Sequence, residues 1–227
     1  MIKIYADGAN IAQMVEADKN PIIAGFTTNP TLMRQAGVKN YMKFAKEVLK
    51  LIKKPVSFEV FSDDFDEMYV QARIISKWAD NVYVKIPITN TKGEPSKELI
   101  ANLVKDKVKV NVTAIMVESQ IIETLAVLDE EVPSIISVFA GRISDTGINP
   151  KKVMMDAKLI IGEKSELLWA SPRQVRDIYT AHECECDIIT VTPDLIAKLP
   201  LRGKNLNEYS LETVQMFYND GKGYDIS

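Results

Sequence analysis

The stretch Asn81-Val82-Tyr83-Val84-Lys85-Ile86-Pro87 sets one lysine among apolar neighbours. Val82, Val84 and Ile86 alternate with Tyr83 and Lys85, which is the period of a β-strand. Pro87 has no amide hydrogen to give a ladder, so the strand is expected to stop there. Lys85 then lies at or next to the strand end. Burial disfavours the charged form of lysine, and a neutral amine in a dry pocket attacks carbonyl carbon. The opposing reading is a strand-end lysine whose ammonium reaches back to water. The stretch by itself does not choose between them.

Other reactive side chains also close apolar runs. Asp7 ends the first, and Thr27-Thr28-Asn29-Pro30 follows the second. Glu59 lies between Phe58 and Val60, where a carboxylate is costly unless it is partnered or functional. Asn111 and Thr113 are two apart and so face the same way on a strand. Ser137-Val138-Phe139-Ala140-Gly141-Arg142 and Ala170-Ser171-Pro172-Arg173 follow later runs. Arg142, Ser171 and Arg173 suit phosphate: arginine offers forked donors, serine a hydroxyl, and a helix opening behind Ser171 adds amide donors. Plainer readings stand beside these. Asp7 could cap a helix near Asn10, and Asn29 before Pro30 is a good N-cap in any case.

The elements that must position these groups alternate. Apolar, β-branched runs recur at residues 2–6, 22–26, 56–61, 82–86, 108–112, 134–138, 166–170 and 187–191. Stretches of helical period lie between them. Over 64–79, Asp64 and Glu67 form a capping-box pattern, and Phe65, Met68, Ala72, Ile75 and Ala79 build one buried face. Residues 41–52, 119–128, the segment opened by Asn149-Pro150, and 172–180 behind Ser171 read as helices too. Strands alternating with helices in this way predict a (β/α)₈ barrel, a TIM barrel of the α/β class. An open doubly wound sheet ranks second, because Asp7-Gly8-Ala9-Asn10 lacks a glycine-rich phosphate loop. Barrel chemistry sits at the C-terminal strand ends, where the polar residues named above fall. The whole chain, 1–227, reads as one barrel domain with a C-terminal tail over 200–227. In the tail, Tyr209, Leu211, Val214, Met216, Phe217 and Tyr218 predict an aromatic helix that caps the barrel or docks on a neighbouring subunit.

Composition narrows the function. With 227 residues, 46% of them apolar, the chain has enough for a full core. A net charge of −3 and a single histidine argue against a nucleic-acid surface. No apolar run reaches membrane-spanning length, and the first residues read directly as a strand rather than a charged-then-apolar leader. Cys184 and Cys186, one residue apart with His182 nearby, fit neither a structural disulfide nor a zinc site. They are expected to be reduced thiols in the cytoplasm, with no metal.

On Gly25-Phe26-Thr27-Thr28-Asn29-Pro30-Thr31 and Val84-Lys85-Ile86-Pro87 above all, the chain resembles the transaldolase family. It is closest to the short members that include fructose-6-phosphate aldolases. Asn111-Val112-Thr113-Ala114, Phe139-Ala140-Gly141-Arg142 and the Ser171/Arg173 pair agree, and the resemblance spans nearly the whole chain. It implies a (β/α)₈ barrel in which Lys85 forms a Schiff base with a ketose, with no cofactor. Asp7 would handle the proton of the sugar hydroxyl. Glu59, with Thr113, would act through a water. Thr28, Asn29, Asn111, Ser137 and Phe139 would contact the dihydroxyacetone unit. Arg142, Ser171 and Arg173 would bind the substrate phosphate. The lyase branch carries Gln and Tyr where this chain has Glu59 and Phe139, so the resemblance favours a transferase, with the fructose-6-phosphate aldolase as the alternative. A barrel that binds sugar phosphates without turnover is the third reading. Phosphorylated sugars are the implied partners, and a pentamer or decamer the implied assembly. Three departures stand out: Gly8 where Thr is usual, Val138 where Pro is common, and Ser144 for one of two usual acids.

Overall fold

The computed structural model describes residues 2–225. Among them, eight parallel strands close into a barrel in chain order. They are β1 Lys3–Asp7, β2 Ile23–Thr27, β3 Val56–Glu59, β4 Val82–Pro87, β5 Val110–Ile115, β6 Ser134–Val138, β7 Glu166–Trp169 and β8 Ile188–Val191. β8 pairs with β1, which closes the sheet and rules out the open doubly wound arrangement. Helices separate the strands and cover the outside, so both strand faces are buried. Val84, Ile86, Val110, Val112 and Ile136, on the outward face, are wholly inaccessible to solvent.

Local chemistry explains most element ends. Asn29, Asn40 and Asn149 each accept from an amide of the helix they precede. Asp64 accepts from the Glu67 amide at 3.0 Å, as the capping-box pattern predicts. The return half of the box is replaced: the Ser62 hydroxyl bridges the Asp64 amide and the Glu67 carboxylate. Two expectations need correction. β5 begins and ends later than its apolar run, because a register shift between Val112 and Ile115 and a left-handed Ala114 (φ 64°) carry the strand to Ile115. The helix expected directly behind Ser171 begins at Arg176 instead. Ser171 is left-handed (φ 61°), and the Asp177 carboxylate accepts from the Arg173 and Gln174 amides, which holds a turn in place of a first helical turn.

The chain divides into two compact units, the first ending at Ile196 and the second starting at Ala197. The second holds a short 3₁₀ turn, Leu199–Leu201, and the helix Leu206–Gly221, capped by Asn205. Leu211, Val214, Phe217 and Tyr218 of that helix are exposed. Among the described residues, no helix is long and apolar enough to cross a membrane.

Inside the barrel, strand alternation stacks two kinds of layer. Tyr5, Ile135, Leu168 and Ile188 form a packed apolar cluster from β1, β6, β7 and β8. Two residues further along β1, β6 and β8 come Asp7, Ser137 and Thr190, at the C-terminal end, while Ala170, just past β7, belongs to the apolar cluster. The Tyr5 ring occupies the space beside Gly25, its register partner on β2. A Cβ on Gly25 would lie 2.6 Å from that ring. Gly25→Ala is therefore expected to destabilise the fold by about 1–3 kcal/mol, the cost of overpacking. Denaturant unfolding checks this, and an unchanged midpoint at unchanged slope overturns it.

Candidate active site

Register decides what surrounds the lysine. β3, β4 and β5 set Glu59, Lys85 and Asn111 side by side. Lys85 is 7% exposed. Its Nζ donates to the Thr28 carbonyl at 3.0 Å and lies 3.1 Å from Glu59 Oε2. The surroundings of Lys85 are thus buried, as its sequence neighbours suggest, but polar. The apolar residues flanking Lys85 face the helices, while its own side has a carboxylate and a carbonyl. The reading of Lys85 as a surface lysine reaching water does not survive.

Asp7 closes the opposite side of the floor. Thr27 Oγ1 donates to its Oδ1 at 2.9 Å, and Asn29 Nδ2 to its Oδ2 at 3.4 Å. The Thr27 hydroxyl also bonds that of Thr190. A hydroxyl has one proton to give, and that of Thr27 goes to Asp7, so Thr190 gives its own to Thr27. Burial pushes the Asp7 carboxyl above its ordinary value, against the pull of the Lys85 charge and the Thr27 hydroxyl; the Glu59 charge adds to the rise. The first helix is capped by Asn10, whose Oδ1 accepts from Gln13, so Asp7 is free of that task. Asn29 does two jobs: its Oδ1 caps the helix Pro30–Gln35 while its Nδ2 serves Asp7.

Asn111 is wholly buried. Its amide nitrogen donates to Ser57 Oγ at 3.1 Å, and its Oδ1 accepts from Ser137 Oγ at 2.7 Å. Thr113 stands next to the left-handed Ala114, and its buried hydroxyl has no partner among the described residues. Glu59 is held from behind, where the Tyr41 hydroxyl donates to its carbonyl at 2.9 Å.

These groups line one cavity of about 490 Å³ at the C-terminal strand ends. Lys85, Asp7, Glu59, Thr113, Asn29, Asn111, Ser137 and Phe139 all open on it, with Arg142, Ser171 and Arg173 at the rim. Thr28 does not. Its hydroxyl bonds the Ser57 carbonyl at 2.9 Å, and its contribution to the site is the carbonyl on Lys85. At the rim, the Arg142 guanidinium lies over the Phe139 ring, 5.6 Å from its centroid. Arg173 is forked onto Asp145, with Nε 3.0 Å from Oδ1 and a second bond from Nη2 to Oδ2. Gly141 lets the two loops meet: a Cβ there would fall 1.5 Å from the Ser171 carbonyl oxygen. The helix N-terminus expected to serve phosphate at Ser171 is absent, for the reason given above.

Sequence reading missed Ser57, Thr190, Tyr41 and Asp145. Ser57 and Thr190 did leave a signal, as polar residues inside barrel strands and, for Ser57, at the same parity as Glu59. Tyr41 and Asp145 left none, because helix and loop residues meet the site only through folding. Among the described residues, no cluster of His, Cys, Asp and Glu is arranged to hold a metal ion.

The transaldolase/fructose-6-phosphate aldolase family pattern matches residues 4–225. A probable transaldolase of Bartonella tribocorum is 31% identical over 97% of this chain and 97% of its own length. A probable transaldolase of Streptococcus agalactiae is 30% identical over 92% of this chain and 95% of its own. The probable transaldolase 2 of Listeria monocytogenes is 30% identical over 92% and 94%.

The raised carboxyl of Asp7 has a consequence for stability. The folded protein keeps a proton there at pH values where the unfolded chain has released it. That contribution is whole below the ordinary value of 3.8 and is lost as pH rises through the folded value. Asp7→Asn removes the loss. The variant is expected to melt above the wild type at about pH 7, with the gap closing towards about pH 4. Thermal unfolding across this range checks it, and a variant that melts lower at about pH 7 overturns it.

Proposed function

Because the chain belongs to the transaldolase/fructose-6-phosphate aldolase family, we propose that it is a transaldolase acting through a Schiff base on Lys85. It moves a dihydroxyacetone unit from a ketose phosphate, such as sedoheptulose 7-phosphate or fructose 6-phosphate, to an aldose phosphate. The supporting observation is the buried Lys85 amine, 3.1 Å from a carboxylate, in one cavity with Asp7, Asn111 and Ser137.

The steps follow from these groups. Glu59 takes a proton from the Lys85 ammonium, and the freed amine attacks the ketose C2. Loss of water gives the iminium, with Glu59 and the Thr113 hydroxyl flanking the water that leaves and later returns. Asp7 Oδ2 takes the proton of the C4 hydroxyl, since its 3.4 Å bond from Asn29 is longer than the 2.9 Å bond that Oδ1 accepts from Thr27. The C3–C4 bond breaks, its electron pair enters the iminium, and an aldose phosphate departs. The enamine carbon then attacks the acceptor aldehyde, and Asp7 returns its proton to the new hydroxyl. The lysine nitrogen serves as the electron sink throughout.

Asn29, Asn111 and Ser137 hold the dihydroxyacetone hydroxyls. Arg142, Ser171 and Arg173 hold the phosphate, with Arg173 aimed by Asp145. Phe139 favours transfer over release. Release requires a proton on the enamine carbon, and a phenyl ring carries none and keeps the site dry. The same reading makes the protein a cytoplasmic homo-oligomer. Its buried, unpaired Cys184 and Cys186 suit a reducing compartment, and the exposed apolar stripe of Leu206–Gly221 suits a subunit contact.

Borohydride reduction with fructose 6-phosphate is expected to fix an adduct on Lys85, seen by mass spectrometry of the digest. Lys85→Met yields none, and a wild-type digest without an adduct sinks the mechanism. Phe139→Tyr is expected to raise acceptor-free release of glyceraldehyde 3-phosphate by roughly a hundredfold, the low end of what a positioned proton donor contributes. A wild type that already turns over rapidly without acceptor is a lyase instead.

A further inference from the structure

We propose that Ser57 is a positioning residue, whose hydroxyl holds the Asn111 amide where it reads one terminal hydroxyl of the dihydroxyacetone unit. The inference rests on the Schiff-base reading above and extends it to a residue that touches neither the lysine nor the cavity.

Asn111 sits on β5 and Ser57 on β3, with β4 between them. In register, Asn111 lies beside Lys85, while Ser57 lies beside Tyr83, one layer deeper. The bond from Asn111 Nδ2 to Ser57 Oγ at 3.1 Å therefore crosses β4 beneath the reactive amine. On the other side, Ser137 Oγ bonds Asn111 Oδ1 at 2.7 Å. The chain of three residues spans β3 to β6, and all three side chains are buried. A serine hydroxyl serves as donor or acceptor, so the two serines fix the position and plane of the amide whichever way it faces. A primary amide has two hydrogens and two oxygen lone pairs. The serines engage one hydrogen and one lone pair, which leaves one of each for a ligand hydroxyl.

The rest of Ser57 does separate work. Its carbonyl accepts from the Thr28 amide at 3.1 Å and the Thr28 hydroxyl at 2.9 Å. Replacing its side chain leaves these bonds in place and removes only the hold on Asn111. Without the hydroxyl, a buried amide loses one of two fixed points and rotates about its last side-chain bond.

The test compares two ketones that differ in one hydroxyl: dihydroxyacetone and hydroxyacetone. Each is trapped on Lys85 by borohydride, and the half-saturating concentrations are read by intact mass. The wild type is expected to prefer dihydroxyacetone. Ser57→Ala is expected to cut that preference about five- to tenfold, the size of one lost hydrogen bond. Ser57→Gly removes the same hydroxyl and gives the same result if Ser57→Ala does not fold. A general loosening of the site weakens both adducts and leaves their ratio alone. An unchanged ratio in the variants, or a wild type that traps both ketones equally, overturns the role of Ser57 and leaves the Schiff base standing. A wild type that traps neither overturns both.

Discussion

The 3.1 Å contact between the Lys85 ammonium and the Glu59 carboxylate is the constraint around which the barrel mouth is built. Removing two charges from water costs several kcal/mol for each, and their attraction repays this only with good geometry and further hydrogen bonds. Those come from neighbouring strands. The Thr28 carbonyl accepts a hydrogen bond from the Lys85 ammonium, and Tyr41 steadies the backbone that carries Glu59. Neighbouring strands of a closed parallel barrel hold such groups within hydrogen-bond reach of one another, without loops to set the distance. An ion pair formed this way orders the site.

Other parts of the mouth are unfavourable for stability in isolation. Asp7 is an acid pushed upward by burial, with three polar neighbours ranged behind it. Ala114 and Ser171 hold left-handed backbones without being glycine, and each lies beside a residue that faces the cavity. Such conformations cost on the order of 1–3 kcal/mol each and persist where surrounding structure imposes them. The imposing structure is visible. A register shift on β5 turns the chain at Ala114, and the approach of Gly141 to the Ser171 carbonyl pins the β7 loop. The apolar layer of Tyr5, Ile135, Leu168 and Ile188 below supplies the burial that offsets these costs.

The rim follows a different physical rule. Arg173 and Asp145 form a forked pair in the open, where ion pairs contribute little to stability. Their value is directional, since a guanidinium held along one edge presents its remaining donors at a set angle. Arg142 lying over Phe139 does the same with a ring face. The floor is thus held by buried hydrogen bonds, whereas the rim is aimed through exposed pairs.

Alternation alone determined a great deal. The period-two runs announced the strands of the barrel, and Asp7, Glu59, Lys85 and Asn111 fell at or near their C-terminal ends, where barrel chemistry sits. Asparagines before helices announced their caps. These are local properties, set by φ/ψ preference and side-chain direction, and they need no partner to be read. What one strand meets on another is set by register and closure, which no local pattern encodes. Only the tertiary structure decided that Lys85 faces a carboxylate rather than an apolar wall, that Asn111 reaches across β4 to Ser57, and that Thr28 gives a carbonyl rather than a hydroxyl. It also decided that the helix behind Ser171 starts late, because Asp177 and the approach of Gly141 outweigh the helix-start signal of Ser171-Pro172.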